Sequence, residues 1–133
     1  MDADTLRNAA LALPGAYEDF PFGPESSVFK VAAPASAGAA RTGKMFAISV
    51  LDGNPLKISL KCEPELARQL RLAHPGITGG WHLNKKHWNT ADCSVLADRM
   101  VLDMLEDSYD LVVSALPRGQ REALGWSGLA RGR

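Results

Sequence analysis

From Trp81 to Thr90 the chain reads Trp-His-Leu-Asn-Lys-Lys-His-Trp-Asn-Thr, with two Trp, two His, two Lys and two Asn in ten residues. Lysines contact phosphates, and tryptophan or imidazole rings stack on bases and sugars. The run therefore suits a nucleic-acid surface. It also suits a hairpin whose tryptophans anchor it to a core and whose His and Lys form the wet side. His82 and His87 stand five apart, which is not a helical pair, so a metal would need a further ligand such as Glu18 or Asp19. The same carboxylates with a histidine could make an acid–base pair. The plainer reading of Glu18-Asp19 is an ion pair with Lys44 or Lys61 that fixes their loop. Cys62 and Cys93 fit neither a metal spacing nor a disulfide framework, and read as free thiols. Gly76 and Gly79-Gly80 follow no phosphate-loop pattern. On these residues no catalytic group, metal or cofactor is assigned.

The elements that must position these groups follow from periodicity and breakers. Leu6, Ala9, Ala10 and Leu13 repeat at helical spacing behind Asp4 as the expected N-cap, and Pro14-Gly15 stops the helix. Tyr17 to Glu25, with two prolines and a glycine, reads as a rigid extended loop. Ser27–Ala33 and Lys44–Leu51 read as strands, joined by a small-residue segment, 32–43, too poor in apolar bulk to order itself. Asp52-Gly53-Asn54-Pro55 is a turn signal. Leu56, Ile58, Leu60 and Cys62 alternate with Lys57, Ser59 and Lys61, the pattern of a strand buried on one face. The three strands predict an antiparallel meander with one buried face. Pro64 suits the first turn of a helix carried to Ala73, and a hairpin is expected around Asn84-Lys85-Lys86. A long helix is predicted over 96–116. Met100, Met104, Ser108, Leu111, Val112 and Ala115 line its core face, and Asp103, Glu106, Asp107 and Asp110 form a solvated stripe. Residues 125–133 read as a flexible tail.

The 133 residues suffice for one domain, placed at 1–124. Apolar residues at 46% and charged ones at 23% exclude a disordered chain. No apolar run approaches the roughly 18 residues of a membrane span, and no leader pattern opens the chain, so a cytoplasmic protein is expected. Fifteen basic and fifteen acidic side chains cancel. The cancellation is local to nothing: blocks 1–33, 34–90, 91–116 and 117–133 carry −3, +5, −5 and +3. All three histidines lie in the basic block, so a basic patch on one surface is compatible with a neutral total.

The order of motifs adds to this. Leu-Pro-Gly-Ala-Tyr-Glu-Asp-Phe-Pro-Phe-Gly-Pro-Glu (13–25), Val-Phe-Lys-Val (28–31), Gly-Lys-Met-Phe-Ala (43–47) and Leu-Lys-Cys-Glu-Pro-Glu (60–65) come first. His-Leu-Asn-Lys-Lys-His-Trp-Asn-Thr (82–90), Asp-Ser-Tyr-Asp-Leu-Val-Val (107–113) and Leu-Pro at 116–117 follow. Over about residues 5–124 the chain resembles the MmcQ/YjbR family of small bacterial proteins. The resemblance implies a two-layer α+β domain of CyaY-like arrangement, an antiparallel sheet with helices packed on one face. It also implies a non-enzymatic DNA-binding protein with a double-wing motif. The chain departs from the family where residues 32–42 replace a short turn with a longer Ala-rich loop.

The basic block and the family resemblance together imply a basic platform for duplex DNA, bound weakly and largely without sequence preference. Its expected members are Lys44, Lys57, Lys61, His82, Lys85, Lys86, His87 and Trp88. The acidic stripe of the long helix must then face away. The alternative is a polar pocket of Glu18, Asp19, His82, Lys86 and Trp88 for an anionic metabolite or a peptide, or an enzyme using the same residues. A monomer is favoured.

Overall fold

The computed structural model describes residues 1–35, 43–80 and 83–126. Residues 36–42 of the expected 32–43 loop, Trp81, His82 and residues 127–133 lie outside them. The elements are α1 (Ala3–Leu11), β1 (Ala16–Asp19), β2 (Ser27–Val31), β3 (Lys44–Ser49), β4 (Lys57–Lys61), α2 (Pro64–Ala73), β5 (Ile77–Thr78), β6 (Trp88–Asp92), α3 (Asp98–Ser114) and α4 (Arg118–Leu124). The strands form one antiparallel sheet in the order β1-β2-β3-β4-β6-β5. The domain is α+β in two layers, as expected.

Alternation sorts the strands into two faces. Phe29, Val31, Ala47, Ile58, Leu60 and Ala91 are buried, and they pack with Leu6 and Ala10 of α1 and with Val101, Leu105, Tyr109 and Val113 of α3. All helices that meet the sheet cover this face. The residues between them, Ile48, Ser59, Lys61, Trp88, Thr90 and Asp92, are only half-buried and make an open face. The meander β2-β3-β4 matches the expectation, with Ile58, Leu60 and Cys62 buried and Lys57 exposed, while Leu56, expected in the core, and Lys61, expected in solvent, are half-buried.

One bulge shapes the middle of the sheet. The β2–β3 register shifts between Phe29 and Lys30, which turns both Phe46 and Ala47 inward. Beyond it β3 and β4 no longer pair, and Ser108 of α3 fills the gap. Its hydroxyl accepts from the Lys61 N–H at 2.8 Å and donates to the Phe46 carbonyl. A buried side chain thus supplies the partners that the ladder lacks.

Several expectations are corrected. Asp2, not Asp4, caps α1, accepting from the Thr5 N–H at 2.8 Å. The segment opening at Tyr17 is not all loop, since Ala16–Asp19 pairs with β2. The hairpin around 84–86 joins β6 to the two-residue β5. The core stripe of α3 is Val101, Met104, Leu105, Ser108, Tyr109, Val112 and Val113, rotated from the expected one, and Ala115 is exposed. Asp110 does not belong to a solvated stripe: it is 6% exposed and accepts from Trp126 Nε1 at 2.9 Å. Trp126, assigned to the tail, also sets its ring edge-on to Tyr109 at 4.9 Å.

Candidate functional site on the open sheet face

The β4–β6 register sets Lys57 opposite Asp92, Ser59 opposite Thr90 and Lys61 opposite Trp88. These six side chains therefore share the open face. Lys57 and Lys61 are four residues apart, about 13 Å along the strand. Trp88 follows directly on the 83–87 turn that carries Lys85 and Lys86, both exposed, and His87, half-buried. Lys57, Lys61, Lys85, Lys86, His87 and Trp88 thus gather on β4, β6 and their adjoining turn.

That turn is held from below. Arg71 of α2 donates through Nη1 to the Lys85 carbonyl at 2.8 Å and to Asn89 Oδ1 at 2.8 Å. Asn89 is fully buried and donates to the Ala67 carbonyl at 3.2 Å. Arg71 and Asn89 were not singled out from sequence, although both are polar residues on otherwise apolar faces. Lys85 lies against Gly79, where an added Cβ would come within 2.8 Å of its Cγ.

Lys44 does not join the platform. The β3–β4 pairing of Ala47 with Leu60, continued along the strands, sets Lys57 about 20 Å from Lys44 but Lys61 only two residues from it, so facing rather than distance separates Lys44 from the others. Lys44 is also opposite Val31, on the helix-covered side. His82 lies outside the described residues. The expected polar pocket is not assembled either. Glu18 and Asp19 are consecutive in β1 and point to opposite faces. Glu18 meets Arg7 of α1 at 3.2 Å and Asp19 meets Lys30 at 2.8 Å, so neither pairs with Lys44 or Lys61. Trp88 lies four strands away, about 19 Å at ordinary strand spacing.

Electrostatics divide along the sheet. Asp98, Asp103 and Glu106 of α3 lie on the helix side, where Arg99 pairs with Asp103 at 2.6 Å. On the open face Asp19 is tied to Lys30, whose ammonium hydrogen bond holds the carboxyl below its ordinary value of 3.8. Asp92 is held low by the Ser94 hydroxyl and N–H, with a lesser contribution from Lys57. No ion pair joins Lys57, Lys61, Lys85 or Lys86 to a carboxylate among the described residues. Both cysteines are buried, and burial pushes each thiol up to about 11, which leaves them protonated and unreactive. Among the described residues no cluster of His, Cys, Asp or Glu could hold a metal ion. No helix among them is long and apolar enough to cross a membrane.

A groove that the sequence did not announce lies in the same face. It has a volume of about 770 Å³ and runs between Phe22 and Val50 on one side and Leu83 on the other. Lys57, Ser59 and Thr90 contribute to its lining. Its parts come from four separate segments, so no local pattern could have revealed it.

Fold and face together define a small α+β module with a helix-covered back and an open, lysine-bearing front. The YjbR family model matches residues 11–111, and the chain belongs to that family. It is 34% identical over 117 residues to the uncharacterised protein YbdF of Escherichia coli O157:H7, across 86% of this chain and 87% of YbdF. To the uncharacterised protein YjbR of Escherichia coli K12 it is 41% identical over 69 residues, 50% of this chain and 58% of that protein. The crystal structure of Deinococcus radiodurans protein DR2400, described as a DUF419 domain, aligns with a TM-score of 0.84. The identity is 36%, over 99% of this chain and 94% of that one. A crystal structure from Pseudomonas syringae aligns with a TM-score of 0.68 at 26% identity, over 84% and 99% of the two chains.

Proposed function

We propose that this chain is a non-enzymatic, cytoplasmic nucleic-acid-binding module that takes DNA on its open sheet face. Binding is through phosphates, weak and largely indifferent to sequence. The observation that supports the reading is the separation of charge by the sheet. Lys57, Lys61, Lys85 and Lys86 lie on or beside the front, with no close ion pair among the described residues although Asp92 stands opposite Lys57, and the acidic residues of α3 lie behind. Front lysines attract a polyanion, and acidic groups a sheet's thickness away do little to repel it in physiological salt.

Four phosphate contacts give a log–log salt slope of about −3 to −4. An anisotropy titration of a labelled duplex at a series of salt concentrations measures it. The Lys85→Ala/Lys86→Ala double variant is expected to lower the slope by about 2 and to weaken binding equally across sequences. Lys57→Ala and Lys61→Ala act in the same direction, and the exposed Lys57 is the cleaner test because an exposed strand lysine contributes little to stability. Absence of duplex binding at low salt, where electrostatic association is strongest, rejects the proposal.

A further inference from the structure

Duplex DNA leaves much of the open face without a use. A duplex presents phosphates and groove edges, and its base faces are hidden in the stack. The lysines answer the phosphates. The apolar groove beside Lys57 does not, and neither does Phe22, which is 68% exposed at its rim.

The groove has the features of a site for a flat, partly polar ring. Phe22, Ile48 and Val50 form an apolar wall and Leu83 faces them. The floor carries Ser59 and Thr90, whose hydroxyls lie 2.7 Å apart with either able to donate. Such rotatable hydroxyls can donate to or accept from the edge of any base, so they orient a ring without selecting its identity. Gly80 keeps this floor accessible. Its φ is +66°, and an added Cβ would sit 2.6 Å from Thr90 Oγ1. At about 770 Å³ the groove exceeds the bulk of one nucleobase. Lys57 lines it with no ion-pair partner among the described residues, and Lys61 follows on the same strand.

We infer that the open face prefers single-stranded nucleic acid, with one unstacked base lodged in the groove against Phe22 and an adjoining phosphate on Lys57. The inference rests on the nucleic-acid reading above and names its partner. Charge complementarity fixes the occupant: an uncharged ring carried on an anionic backbone matches an apolar groove bordered by the Lys57 ammonium. A stacked base on an aromatic side chain changes affinity by roughly tenfold when that side chain is cut to alanine.

The test is an anisotropy comparison of one labelled oligonucleotide, alone and annealed to its complement, at the same salt concentration. The single strand is expected to bind about tenfold tighter than the duplex. Phe22→Ala should erase that preference and leave duplex affinity unchanged. Phe22→Trp should keep it, with indole fluorescence quenched as the base stacks. Equal affinity for the two forms overturns the inference and leaves the phosphate platform standing, as does a preference that survives Phe22→Ala. Failure of both forms to bind at low salt overturns the platform and the inference together.

Discussion

Asp19 and Glu18 show how one residue of displacement along a strand decides a side chain's chemistry. As neighbours in an extended segment they point to opposite faces. Glu18 serves the junction of β1 with α1 through Arg7, and Asp19 clamps Lys30 on the open face. Reading 17–25 as a continuous loop hid this, because the Phe-Pro-Phe-Gly-Pro stretch is so strong a breaker that the four strand residues before it carry no separate signal. The Asp19 pair has a pH signature. Its carboxyl is held below the ordinary 3.8, chiefly by the Lys30 hydrogen bond and then by the Phe20 N–H. A depressed folded-state pKa contributes stability that is fully present above the unfolded value and lost as pH falls through the folded value. Wild type and Asp19→Asn should therefore differ in urea midpoint by a constant amount from neutral pH down to about 4, and converge below it. A difference that persists undiminished at the acid limit would contradict the assignment.

At the scale of elements, Ser108 is the fastener between layers. It was legible as a core-facing residue of the long helix, but its task was not. The task arises only because the β2–β3 bulge ends the β3–β4 ladder at Ala47 and Leu60. Ser108→Ala leaves the Lys61 N–H and the Phe46 carbonyl without that hydroxyl, and should cost about 2–4 kcal/mol. Equilibrium urea unfolding measures the loss, and hydrogen exchange at the Lys61 amide localises it. A loss within about 0.5 kcal/mol, as for an ordinary surface change, would mean the hydroxyl is replaceable. Elements with strong local patterns were readable: the alternation from Leu56 to Cys62, and the helix that begins at Pro64. The short strands β1 and β5 were not, because they exist through pairing with β2 and β6. The phase of α3 was misread because Met100 and Leu111 drew the stripe toward a flank. The observed stripe follows Val101, Leu105, Tyr109 and Val112 at i, i+4, i+8 and i+11. The same distinction holds for the site. Lys57 and Lys61 share a face by strand period alone, whereas Lys44 required a register and the groove required the whole sheet.

For the whole molecule, the separation of charge by the sheet has a consequence apart from any partner. A formal net charge of zero at pH 7 ordinarily means indifference to charged matrices. Among the described residues Lys57, Lys61, Lys85 and Lys86 at the open side and the acidic residues of α3 behind would give the molecule a dipole along the sheet normal. It will turn to face whichever surface it meets. At neutral pH and low salt the protein should be retained on both cation- and anion-exchange resins and leave each at modest ionic strength. Lys57→Ala/Lys61→Ala should shorten retention on the first and lengthen it on the second. Passage through both columns without delay would show that the two charged faces cancel at the range of a resin ligand. Two such molecules approaching at low salt would also align head to tail, so light scattering should register a weak attraction that salt abolishes.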